Sequence, residues 1–448
     1  MMPMVHSLMD GIPLTLASAL EGVFLKVLIQ LVIIIGVARL LGELSKWIGQ
    51  PAAVGEIAAG LMLGPSLFGL IAPQLYHAVF DPSVAGIMEV LAQIGLVLLL
   101  FLIGLEFDYS HLKVKGAAAG AISFSGVVLP FGLGWALAHY IHPILAPQVP
   151  FTGFALFMGV SMSITAIPIL GRIMMELNIT RTRLGAITIT AAAVDDAIGW
   201  ILLATITAMV ESNFHVASTF KMLGFTVGYA IFLIVIARPW LLRWARWEIK
   251  RNNGELSLNG IAVILVLVIL SGIATSMIGI FAIFGAFLLG SVFSAVPEFH
   301  RAVVRRMGAI VMVFFLPIFF TCTGLKTDMG MLGQTGNWFI AMLVIACAVV
   351  GKFGGCAAAA RISGMTWRDS VGAGIMMNCR ALMELIVLNI GYKLGVIPQA
   401  LFSMLVLMAL VTTVMTTPVL LWVMRRDPEL RPLLAQSHFR RWLGPAIH

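Results

Sequence analysis

Charge is what this chain has least of. Lysine, arginine, aspartate and glutamate together make up 11% of its 448 residues, where a soluble domain carries about 25%. So few charges cannot cover a water-soluble surface, and a soluble fold is excluded. Cysteine is scarce too: Cys322, Cys347, Cys356 and Cys379 all lie inside apolar stretches without paired spacing. That excludes a disulfide scaffold and a cysteine metal site, and leaves four thiols acting as small apolar residues. No cofactor is expected. The opening MMPMVHSLMDG lacks a basic region ahead of an apolar core, so a cleaved signal peptide is not expected. The net charge of +8 is spread over short segments between apolar runs, which is no footprint for nucleic acid.

What the chain has in abundance is apolar sequence in runs of about 20 residues, the length that crosses a bilayer as a helix. The reading is an all-α polytopic membrane protein with thirteen spans, at about 23–44, 52–70, 87–107, 117–141, 151–171, 184–210, 219–240, 257–276, 279–295, 305–323, 338–360, 370–391 and 399–424. Residues 1–22 read as a lead-in, 23–424 as one transmembrane domain and 425–448 as a short tail. Most lysines and arginines fall on one side of this arrangement, including the 238–251 loop and the tail. The positive-inside rule makes that side cytoplasmic, with the N-terminus outside and the C-terminus inside.

The chain also echoes itself. LFLIGLEFDYSHL at 100–112 resembles IFFTCTGLKTDMGML at 318–332, and AAGLMLGPS at 58–66 resembles FGAFLLGSV at 284–292. Six helices, a linker helix at about 219–240 and six more would place equivalent helices an odd number of crossings apart. The second copy is then inverted, with two broken helices, 151–171 and 370–391, crossing at the midplane, as in many secondary transporters. Pro168 and the stretch Asn378–Arg380 mark the breaks.

Asp195 and Asp196 stand near the middle of the apolar stretch RLGAITITAAAVDDAIGWILLATITAMV. A carboxylate at membrane depth costs about 2.5–3.5 kcal/mol on insertion scales, and such residues line ion or proton paths. Neighbouring residues on a helix point about 100° apart, so the two aspartates have different surroundings. Lys352, also mid-span, needs a partner. The economical pairing is Asp195 with Lys352, leaving Asp196 as the open, titratable carboxylate. Such a group binds a proton or a small cation, not both, and burial disfavours its charged form; competition for it couples two ions. Ser163 and Thr165, beside the first break, offer hydroxyls to replace a hydration shell, or bond back to their own helix. Arg380 and Glu384, four apart on one helix face, read as an ion pair bracing the second break, with direct ion binding by Glu384 as the alternative. Glu56 is grouped with that structural pair, as a cap or brace near the cytoplasmic funnel.

At these residues the chain resembles the monovalent cation:proton antiporters, second subfamily, which includes sodium/proton and potassium/proton exchangers. The strings that carry the likeness are QPAAVGEIAAGLMLGPS at 50–66, LFLIGLEFD at 100–108 and MSITAIPILGRIMMELNITRTRLGAITITAAAVDDAIGWILLA at 162–204. FGAFLLG at 284–290, PIFFTCTGLKTDM at 317–329 and MMNCRALMELIVLNIG at 376–391 complete the set. The resemblance implies a homodimer in the cell membrane with elevator-type alternating access. A mobile core would take about 117–210 and 338–424, and a panel for dimerisation about 23–107 and 257–323. It implies that Asp196 carries Na+ or K+ or a proton, and that Asp195 pairs with Lys352. Retention of both aspartates and the lysine resembles the electrogenic members. Only about 24 residues follow Met424, too few for the soluble nucleotide-binding domain of several potassium-exporting relatives.

Three other classes are weaker, one of them a passive channel, which single-channel current would separate from a slow carrier. A sodium-coupled symporter of an organic anion on a related fold would need an organic-solute site. An intramembrane aspartyl protease needs two aspartates facing each other to share a proton, which adjacent residues of one helix cannot do. No enzyme activity is expected. The strings do not choose between Na+ and K+.

Overall fold

The structure, a computed structural model, describes residues 14–106, 117–177, 179, 182–212, 216–333, 337–427 and 430–432. Every regular element among them is helical. We number those that matter here: α1 Leu14–Trp47, α2 Ala52–Leu63, α3 Pro82–Glu106, α4 Ala117–Leu145, α5 Phe151–Ser163, α6 Ile167–Glu176, α7 Arg183–Glu211, α8 Val216–Ile231, α9 Arg238–Arg251, α10 Leu258–Ile278, α11 Ala282–Phe293, α12 Leu316–Lys326, α13 Asn337–Val349, α14 Gly355–Ile362, α15 Trp367–Met377, α16 Ala381–Lys393 and α17 Gln399–Arg426. Among the described residues, eleven stretches are long and apolar enough to cross a membrane. The shorter apolar helices Phe151–Ser163 and Ala282–Phe293 lie where two further spans were expected. The chain is a multi-pass membrane protein.

Several boundaries have a local cause. Thr182, Ser257 and Thr366 each accept a backbone N–H three residues on, satisfying an otherwise orphaned donor at the start of α7, α10 and α15. Gly279 ends α10 at φ 100°, a left-handed cap that suits glycine. The first helix begins at Leu14, so the expected lead-in is partly helical. The basic segment expected as a loop at 238–251 is also helical: α8 runs through a π-helical stretch, Phe232–Ala237, into α9. Pro239 sits in the first turn of α9, where its missing N–H is harmless. Arg243 and Arg251 lie over the Trp240 and Trp247 rings, contacts at helical spacing.

The helices pack in two sets. In one, α2 lies against α1 and α12, and α11 against α3 and α10. In the other, α4 packs on α5, α7 and α14, and α17 on α13, α15 and α16, with α17 also touching α2. Glycine sets the crossings of the first set. A Cβ on Gly324 would fall 1.9 Å from Gly60 O, and one on Gly290 would fall 2.2 Å from Phe101 O. Small residues let membrane helices approach this closely.

Both expected breaks are present. Helix α5 stops at Ser163, and α6 starts at Ile167; α15 stops at Met377, and α16 starts at Ala381. The first break lies just before Pro168, whose missing N–H would otherwise bond the Ile164 carbonyl inside the break. Pro168 is the second residue of α6, a position that tolerates proline because the first helical N–H groups have no partner anyway. The two breaks touch: Ala166 N donates to Cys379 O at 2.9 Å.

Candidate ion-binding site

The interrupted helices expose carbonyls that regular helix would have used, and buried cations cover them. Helix α5 ends with orphaned C=O groups and the negative end of its dipole. Arg380 donates from Nη1 to Ser161 O at 3.0 Å and from Nη2 to Ala348 O at 3.1 Å. Lys352 donates to Ser163 O, to Gly126 O at 2.8 Å and to Asp195 Oδ2 at 2.5 Å. An ammonium has three N–H donors, and here each has an acceptor. Both cations are 0% exposed.

Lys352 reaches that position from a π-helical turn, Val350–Gly354, set between α13 and α14. Such single wide turns occur often at functional sites. Sequence reading finds Lys352 but not its turn; the glycines around it in VGKFGG are the only trace.

Asp195 is the centre of the cluster. Besides Lys352, it accepts from Thr165 Oγ1 at 2.5 Å, and that hydroxyl lies 3.1 Å from Met377 O. Thr165 thus ties the first break, the aspartate and the end of α15. Asp195 Oδ1 and both oxygens of Asp196 are buried without a hydrogen-bond partner among the described residues.

Asp196 is unpaired among the described residues, and it is buried. The residue is 1% exposed, since α7 is enclosed by α4, α5 and α15. Gly199, one turn on, lies where a Cβ would meet the Ile164 side chain at 3.1 Å, so α7 presses on the first break. A buried carboxylate without a donor is costly, and this one has two bare oxygens.

Three other expected residues are placed as follows. The Ser163 hydroxyl donates within its own neighbourhood, to Gly159 O at 2.7 Å with Val127 O at 3.1 Å; its carbonyl, not its hydroxyl, meets the charge. Glu384 lies 3.8 Å from Arg380, an ion-pair distance, while the guanidinium's hydrogen bonds go to carbonyls. Bracing the break is therefore done by Arg380 on the main chain more than by the pair. Glu56 does not join the Arg380–Glu384 pair. It pairs with Arg39 of α1 at 3.5 Å, in the other helix set, because α2 packs against α1. Among the described residues no group of three or more His, Cys, Asp or Glu is arranged to hold a metal ion.

Sequence reading misses three contributors. Ala348 and Ser161 act through carbonyls, which carry no side-chain signal. Gly126 also acts through its carbonyl, but a signal exists four residues on, at Pro130.

An all-helical membrane chain whose two broken helices cross beside a buried lysine–aspartate pair is, by fold and site, of the carrier class. Comparison with known proteins gives the family. Residues 31–425 match the family described as sodium/hydrogen exchanger, transmembrane, and the chain belongs to it, as the resemblance to monovalent cation:proton antiporters implied. It is 37% identical over 399 residues to the Na(+)/H(+) antiporter NhaS4 of Synechocystis sp., covering 88% of this chain and 96% of that protein. It is 32% identical over 401 residues to the K(+)/H(+) antiporter 1 of Saccharomyces cerevisiae, covering 87% of this chain and 45% of the yeast protein. In three dimensions it resembles the sodium proton antiporter MjNhaP1 of Methanocaldococcus jannaschii, with a TM-score of 0.60 at 13% identity over 94% of this chain and all of that one. That likeness speaks for the fold alone.

Proposed function

We propose that this protein is a secondary active antiporter exchanging a monovalent cation, Na+ or K+, for protons, with both competing for Asp196. One observation carries the reading: Asp196 is buried with two unpartnered oxygens beside a Lys352–Asp195 pair whose ammonium is fully committed. A site in that state is stabilised by whatever supplies positive charge, a proton or a cation. The names of relatives on both the sodium and the potassium side support exchange without choosing the ion.

The remaining parts follow the same reading. Thirteen crossings in a 6+1+6 inverted repeat are supported by a swapped pair of contacts: Gly64 meets Gly324, and Gly290 meets Gly104. Each contact joins one copy's small-residue helix to the other copy's G-L-charge motif. The set holding the site, α4–α7 and α13–α17, is the mobile core, and the set around α1–α3 and α10–α12 is the dimerising panel. Movement is of the elevator type, in the cell membrane, with the N-terminus outside and the C-terminus cytoplasmic.

The sealed Asp196 represents a conformation closed to both faces, and exchange requires it to open to each in turn. In proteoliposomes, cation-driven proton movement should vanish in Asp196→Asn; full exchange in that variant would overturn the scheme. An Asp196→Cys protein should be labelled by a small membrane-impermeant thiol reagent from at least one face. Complete protection from both faces would mean that no aqueous route exists.

A further inference from the structure

We propose that Pro130 is a positioning residue for Lys352, acting by what its backbone lacks. In an α-helix the N–H of each residue bonds the carbonyl four residues earlier. Proline has no N–H, and its ring displaces that carbonyl. Pro130 lies in the interior of α4, so the carbonyl of Gly126 lacks the N–H that the residue four on would otherwise donate. That oxygen is one of the three acceptors of the Lys352 ammonium, at 2.8 Å. The second acceptor, Ser163 O, is freed by the end of α5. The ammonium is thus held by two carbonyls that helices cannot use, one released by a chain break and one by a proline, and by a carboxylate.

Packing supports the arrangement. A Cβ on Gly351 would lie 3.0 Å from Pro130 Cα, and one on Gly126 would lie 2.8 Å from Cys356 Sγ. Helix α4 therefore meets the lysine-bearing turn main chain to main chain at Pro130, and meets the Cys356 side chain of α14 at Gly126. By fixing Lys352 against Gly126 and Ser163, Pro130 keeps Asp195 engaged and leaves Asp196 as the carboxylate without a cation. That consequence rests on the antiport reading; the hydrogen-bond relation does not.

The test is a double-mutant cycle on melting temperature, which needs no transport. Pro130→Ala restores the N–H, which then competes with Lys352 for Gly126 O. It should lower the melting temperature of the otherwise unchanged protein and raise it in a Lys352→Ala background, where the helix bond forms without a rival. The same shift in both backgrounds overturns the proposal. A second variant separates the N–H from the ring: lactic acid at position 130, incorporated as a backbone ester, removes the ring but supplies no N–H. In proteoliposomes it should exchange at least about tenfold faster than Pro130→Ala, a ratio in the range of one lost hydrogen bond to a charged group. Equal rates for the two, or failure of the ester protein to fold, overturn the proposal as well. If no form exchanges cations for protons, the antiport reading fails while the thermal cycle still decides the role of Pro130.

Discussion

Among the described residues, two of the ion clusters that bridge helices are built in opposite ways. Near the start of α3 and at the C-terminal ends of α12 and α16, Glu89 takes Lys326 at 2.9 Å and Lys393 at 2.8 Å, all three side chains about a quarter to a third exposed. Lys326 also meets Asn389 Oδ1 at 3.2 Å, and Asn389 donates to Thr323. One acid there is shared by two bases within reach of water. In the core, Asp195 and Lys352 are 0% exposed, and Lys352 leans on main chain as much as on its counter-ion. The partly exposed cluster can exchange its partners for water; the buried one cannot. Only the buried cluster leaves a neighbouring carboxylate, Asp196, without a donor.

The largest effect should come from splitting the inner pair. Lys352→Ala leaves Asp195 buried and uncompensated, and breaking such a pair costs about 3–5 kcal/mol. Urea or thermal unfolding in detergent would measure it. Asp195→Asn combined with Lys352→Ala should cost much less than the sum of the two single changes; a fully additive result would mean that they do not act as a pair. Opening the outer cluster is a smaller intervention. Glu89→Gln should cost about 1 kcal/mol or less, and the loss should shrink as salt is raised. A loss as large as that of Lys352→Ala, insensitive to salt, would erase the contrast between the two clusters.

The smallest effect lies outside the membrane spans. The Lys26 ammonium hydrogen-bonds Asp81 at 2.7 Å and, with the Ser83 backbone, holds that carboxyl well below its ordinary value of 3.8. A depressed value in the folded state means the contribution is complete above about pH 4 and is lost as pH falls further. Melting temperature should therefore drop more steeply below pH 4 in the unaltered protein than in Asp81→Asn. Parallel curves would show that the contact does not contribute.

The parts legible in the sequence are those that depend on one residue at a time. The apolar runs, the two breaks and the Asp195–Lys352 pairing all follow from the cost of charge and irregular backbone in an apolar medium. What escapes is set by crossings. The acceptors Ser161 O, Ser163 O, Gly126 O and Ala348 O are backbone atoms whose availability depends on which helix ends arrive beside them. The enclosure of Asp196 depends on α4, α5 and α15 closing around α7. Glu56 goes to Arg39 rather than to the Arg380–Glu384 pair because helix packing, not hydropathy, assigns partners. The helical character of 238–251 escapes because positive charge signals a membrane side and says nothing of backbone state.

The join between Ala166 and Cys379 has one more consequence. It is made wholly of peptide groups, so exchanging either side chain leaves donor and acceptor in place. The two interruptions are fastened to each other by something point mutation cannot readily delete, and a motion that carried one past the other would have to break it.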